Sequence, residues 1–187
     1  MTTIRILTYI GIVLAVWLAL IDYAVMRPKR KALPGARLRG FEGLVYLGFL
    51  GCVLLMSVSS FGMIAVGEHM HRWMLIVHMS VAPPYAVCLT ILALMWAEQS
   101  QFRGERAAES AALGERFYPG EKLAFWVTVA AGFVTIATAM LGMMTWFGSD
   151  GQIVLLNTHR IAALVVLVSA VFHGTRVLLG RPAAAVE

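Results

Sequence analysis

Three histidines of this chain lie inside long apolar stretches: His78, His159 and His173. His159 and His173 are fourteen residues apart in one continuous segment, residues 153–179. At 100° per residue, fourteen steps return to within about 40° of the starting direction, so both rings share one helix face. The helical rise sets them about 21 Å apart along the axis. In a hydrocarbon core roughly 30 Å thick, one therefore falls near each edge. An imidazole in hydrocarbon is costly and ordinarily faces a cavity, a cofactor or a polar partner. His78 lies about five residues into its segment and His159 about six into its own, each about 8–9 Å below the same boundary. Two neutral imidazoles at matched depth on facing helices form the donor set of a bis-histidine iron centre of the haem b type. Neither cysteine, Cys52 nor Cys88, belongs to a Cys-x-x-Cys-His attachment motif, so such a haem is held without a covalent bond. Both cysteines read as small packing residues.

His71 competes with His78 as a ligand: it is seven residues earlier on the same face, about 10 Å nearer the interface. With His69 it makes a His-x-His pair in the short loop 67–72, where a soft-metal site or partner contact competes with plain exposure to water and headgroups. Arg72 and Arg160 flank the same end and suit charge-assisted contacts to haem propionates, or interfacial anchoring. At the opposite end His173 has no second histidine at its depth. Glu42 is the group available there, a poor haem ligand but a capable proton carrier. His173 with Glu42, near Arg39 and Arg176, suits a quinone or proton site, with a structural His–Glu contact as the plainer alternative. Pro83 and Pro84 remove two backbone donors beneath His78 and predict a kink that opens the helix. Gly48, Gly51, Gly132 and Gly142 read as positions of close helix approach.

The elements that must position these groups follow from composition. The chain has 187 residues, 60% hydrophobic and 13% charged, with mean hydropathy +0.80. That excludes an ordinary soluble domain. Five stretches are long enough to span a bilayer: residues 4–26, 41–66, 73–97, 123–147 and 153–179. Of fifteen cations, twelve lie in the linker after the first stretch, the loop 98–122 and the tail. By the positive-inside rule those segments are cytoplasmic, the N-terminus is periplasmic and the C-terminus is cytoplasmic. The net charge of +5 follows from this asymmetry and does not imply nucleic-acid binding. The first stretch lacks a small-residue cleavage site and reads as a retained anchor. The organisation expected is an N-terminal membrane anchor (1–26), a basic linker (27–40), a four-helix unit (41–179) and a short tail (180–187). Short outer loops, 67–72 and 148–152, make the second and third helices, and the fourth and fifth, antiparallel neighbours. A short surface helix is expected at 105–112.

The segment Tyr118-Pro119-Gly120-Glu121-Lys122-Leu123-Ala124-Phe125-Trp126 is similar to the Tyr-x-x-Gly-Gln-Lys-x-x-Phe-Trp lead-in of a known helix. Followed by His159 and His173 at their fourteen-residue spacing, it resembles the gamma subunits of membrane formate dehydrogenases and the related cytochrome b subunits of NiFe hydrogenases. The resemblance covers about residues 39–179. It implies an all-α integral membrane protein, a four-helix cytochrome b bundle, here with one extra N-terminal transmembrane helix. It further implies that His78 and His159 bind a periplasmic haem. A cytoplasmic haem in that family is shared by the counterpart of His173 and a histidine whose place is taken here by Glu42, so one haem b is expected where relatives hold two. The resemblance implies electron transfer between a periplasmic redox subunit, of iron–sulfur or cytochrome c type, and the quinone pool of a bacterial inner membrane. The competing expectation is a structural anchor for a periplasmic oxidoreductase, with an incomplete or absent electron path. The small amount of chain outside the spans argues against a stand-alone enzyme, and the lack of a repeat against a transporter.

Overall fold

A computed structural model describes residues 2–21, 23–24, 40–102, 117 and 119–179. Within them the chain is helical, with no strand, and five helices are long and apolar enough to cross a membrane. Helix α1 spans Thr2–Ile21, α2 Gly40–Val66, α3 Arg72–Trp96, α4 Pro119–Gly142 and α5 Gly148–Leu179. The basic linker, the region expected to form a surface helix at 105–112, Tyr118 and the tail lie outside the described residues.

Helices α2 to α5 close into a ring in chain order, α2 against α3, α3 against α4, α4 against α5 and α5 back against α2. Pairing is most extensive within the two hairpins, α4–α5 and α2–α3, as the short connections require. The ring buries Tyr46, Phe49, Tyr85, Leu89, Trp96, Phe125 and Val166 at its centre. Its outward faces carry Leu44 at 70% and Leu94 at 77% exposure, apolar side chains in the position where lipid is the solvent. Four small hydroxyls inside the bundle are satisfied locally. Thr128, Thr135, Thr138 and Ser169 each donate to the carbonyl one turn back, at 2.7–2.8 Å.

Helix α1 is not detached. It packs along α5, where a side chain at Gly11 would collide with Leu164, whose Cδ1 stands 2.5 Å from the place of a Cβ. Its start is tied to the end of α2, since the Arg5 guanidinium and the Tyr9 hydroxyl both donate to the Ala65 carbonyl, at 3.1 and 2.7 Å. Gly67, at φ +84°, stops α2 in the left-handed conformation that glycine tolerates.

Three features add to or differ from the expectation. The fourth helix ends at Gly142, short of residue 147, and Thr145–Phe147 forms a 3₁₀ turn. Residues 148–152, read as a loop from their small and polar character, are the first turn of α5. At 32 residues α5 is about 48 Å long and outreaches the hydrocarbon. The prolines Pro83 and Pro84 lie inside an α3 that stays helical from Arg72 to Trp96. A π turn at Val58–Gly62 interrupts the regular α-helical pattern of α2.

Candidate functional site

The π turn of α2, the first half of α3, the last third of α4 and the first half of α5 converge on one small cleft of about 40 Å³. Its lining includes His78, His159, Arg160, Tyr85, Thr135 and Ser60. His78 lies six residues after the start of α3, and His159 eleven after the start of α5. The extra turn on α5 compensates, and the two rings come together with centroids 6.5 Å apart at an interplanar angle of 63°.

Hydrogen bonds fix the tautomer of each ring. The Nδ1 of His159 is 3.0 Å from the carbonyl oxygen of Thr135, which can only accept, so Nδ1 carries the proton. The Nδ1 of His78 is 3.2 Å from Ser59 Oγ, whose own proton goes to the Met56 carbonyl at 3.1 Å, so Nδ1–H donates here as well. Both Nε2 atoms are thereby left with a bare lone pair, the arrangement that outer hydrogen bonds impose on metal-binding histidines. Thr138 Oγ1 adds a contact to His159 Nδ1 at 3.3 Å. With metal–nitrogen bonds of about 2 Å on either side of one ion, facing imidazole centroids stand roughly 6 Å apart, close to the separation seen. Among the described residues no cluster of three or more His, Cys, Asp or Glu forms a metal site. A bis-histidine centre needs only these two.

Tyr85 closes the inner edge of the cleft. It is 3% exposed, and its hydroxyl has no hydrogen-bond partner among the described residues. The ring stacks on Phe49 with centroids 5.7 Å apart. The hydroxyl fits against Gly132, where a Cβ would stand 2.7 Å from it and 2.5 Å from Leu89 Cδ2. Of the four glycines read as close-approach positions, Gly132 alone is packed this tightly. Gly51 has nothing within 4 Å, and Gly48 and Gly142 meet only ordinary contacts. Arg160 lines the cleft, whereas Arg72 is exposed at the start of α3 with φ +47°, a strained conformation for a residue with a Cβ. His71 and His69 are exposed, and His71 Nδ1 donates to the His69 carbonyl at 2.6 Å.

At the other end His173 is 4% exposed and enclosed by aromatic rings. Tyr46, Trp96, Phe117 and Phe125 have centroids 5.6, 5.7, 5.9 and 6.2 Å from its own. The Tyr46 hydroxyl is 2.8 Å from His173 Nδ1. Glu42 is a neighbour of this cluster through Trp96, whose indole N–H donates to its carboxylate. An indole N–H cannot accept a proton, so the Glu42–Trp96 link is no proton relay. Glu121 and Lys122 are buried at the same end, at 1% and 7% exposure, and Lys122 Nζ donates to the Gln101 carbonyl at 3.3 Å.

Ser59, Thr135, Thr138 and Tyr85 were not singled out from the sequence. The signal present was polar residues at turn spacing in apolar helices: Ser57, Ser59 and Ser60 on α2, Thr135 and Thr138 on α4. Comparison with protein families, with curated proteins and with solved structures finds no match to this chain.

Proposed function

We propose that this protein is a haem b membrane subunit of a respiratory complex, passing electrons between a redox partner on the periplasmic face and the membrane quinone pool. The observation that carries the reading is the His78–His159 pair, with both Nδ1 atoms occupied and both Nε2 atoms available across a 6.5 Å centroid separation. The residues fit the group: two neutral imidazoles as axial ligands, a cleft between four helices, and Arg160 at its wall to meet a propionate. A haem held there supplies a one-electron iron couple. The protein's share is to hold the ligands in one tautomer, keep water from the ring and fix the site's depth.

The surroundings of His173 support one haem over two. Four aromatic rings crowd its approaches, so side chains stand where an inner porphyrin would have to lie. Glu42 and His173 remain the groups for a quinone or proton site at this end, each reached on its own. The orientation proposed, His71 end periplasmic, rests on the distribution of cations. The purified protein tests the reading by its visible spectrum: sharp α and β bands on reduction are expected, lost in His159→Ala. A protein expressed with ample haem that shows neither band is the anchor of the competing expectation.

A further inference from the structure

Helices α2 and α3 run antiparallel, and their register is pinned at two levels. Glu42 meets Trp96 near one end, and Ser59 Oγ meets His78 Nδ1 at 3.2 Å near the other. Between these levels lie the two cysteines, Cys52 ten residues after Glu42 and Cys88 eight residues before Trp96. By the helical rise they are level to within about 3–5 Å.

They also face each other. Gly48 lies where Cys88 approaches α2: a Cβ built on it would stand 3.6 Å from Cys88 Sγ. Cys52 is four residues after Gly48, hence on the same face, and helical side chains lean toward the N-terminus. A Cys52 sulfur with that lean comes toward the space beside Gly48 that Cys88 Sγ adjoins. Both thiols are free and half-buried. A disulfide needs α-carbons about 4.4–6.8 Å apart, a separation helices reach where a small residue lets them close. At Gly48 the Cys88 sulfur lies at ordinary van der Waals distance from α2. Neither cysteine lines the histidine cleft or the aromatic shell around His173.

We propose that Cys52 and Cys88 form a reversible dithiol–disulfide site inside the membrane, oxidised by a lipid-soluble quinone. The two S–H bonds break and one S–S bond forms. The two electrons and two protons pass to the quinone, which leaves as quinol. A water-soluble oxidant has poor access to thiols at this depth, whereas a quinone dissolves where they are. Closure ties α2 to α3 between the Ser59–His78 and Glu42–Trp96 contacts, and so braces the helix that carries His78 against its own anchor. The proposal does not depend on haem.

The full-length protein in nanodiscs, reduced and freed of reductant without oxygen, is mixed with a fully substituted short-chain benzoquinone that cannot add to thiols. Thiols are then counted by alkylation under denaturing conditions and intact mass. The expected result is a fall from two alkylatable thiols to none, a mass lower by two hydrogens, one quinol per chain, and recovery of both thiols with dithiothreitol. In Cys52→Ser and in Cys88→Ser the remaining thiol stays alkylatable and no quinol forms. The proposal is overturned if both wild-type thiols survive the quinone, if they pair between chains, or if only diamide closes them. The wild-type count decides the matter even if a variant fails to fold.

Discussion

The two candidate ligands are anchored by different kinds of acceptor, and this makes their outer hydrogen bonds unequal under mutation. His78 depends on a side chain, Ser59 Oγ at 3.2 Å. His159 depends on a backbone carbonyl, Thr135 O at 3.0 Å, with Thr138 Oγ1 farther off at 3.3 Å. Ser59→Ala removes the acceptor that fixes the His78 tautomer, and loss of such an outer partner typically weakens metal affinity about 10–100-fold. At about 1.4 kcal/mol per factor of ten, that is roughly 1.4–2.8 kcal/mol of haem binding. Thr138→Val leaves the Thr135 carbonyl in place, and haem affinity is expected to stay within about threefold, under 1 kcal/mol. The assay is transfer of haem to a tight soluble acceptor in detergent, followed by its visible band, with far-UV circular dichroism to check that helicity is unchanged. Ser59→Thr keeps the hydroxyl and is expected to restore most of the affinity. If Thr138→Val weakened haem more than Ser59→Ala, the assignment of anchors would be refuted.

Gly132→Ala places a methyl against Leu89 and Tyr85, and is expected to cost about 1–3 kcal/mol by overpacking. Gly51→Ala, with open space around it, is expected to be neutral or stabilising by up to about 1 kcal/mol; thermal unfolding in detergent reads both. Tyr85→Phe removes a hydroxyl with no partner among the described residues, so the haem-free protein is expected to lose no stability. A drop above about 1 kcal/mol would contradict that reading. Tyr9→Phe is expected to cost about 0.5–1.5 kcal/mol by giving up the bond to Ala65, and Gly11→Leu to loosen α1 from α5, seen as faster proteolysis of the N-terminal segment. A C-terminal alkaline phosphatase fusion is expected to be inactive, and an active one would reverse the orientation.

The spans were legible because length and apolarity alone define a membrane helix, and the pairing of His78 with His159 was legible because antiparallel hairpins turn sequence position into depth. The end of α4 and the start of α5 were not. Ser149, Asp150 and Gly151 read as loop by composition, yet they continue a helix that projects past the hydrocarbon, where polarity no longer argues against helix. Tandem prolines delete hydrogen bonds but fit a bundle in which neighbours support the backbone, while the π turn on α2 carries no proline. The aromatic shell around His173 gathers residues from α2, α3, α4 and the stretch before α4, a convergence that only the closed ring produces. Glu42 was placed beside His173 by depth, which says nothing of the indole that stands against both.

The central claim is a bis-histidine haem b between α3 and α5, one per chain. The direct measurement is haem content per chain of the purified protein, with electron paramagnetic resonance of its oxidised form. One low-spin haem per chain is the expected result, with none retained by His159→Ala and a lost or high-spin haem in His78→Ala. Haem retained unchanged in both variants, or two haems per chain in the wild type, would contradict it.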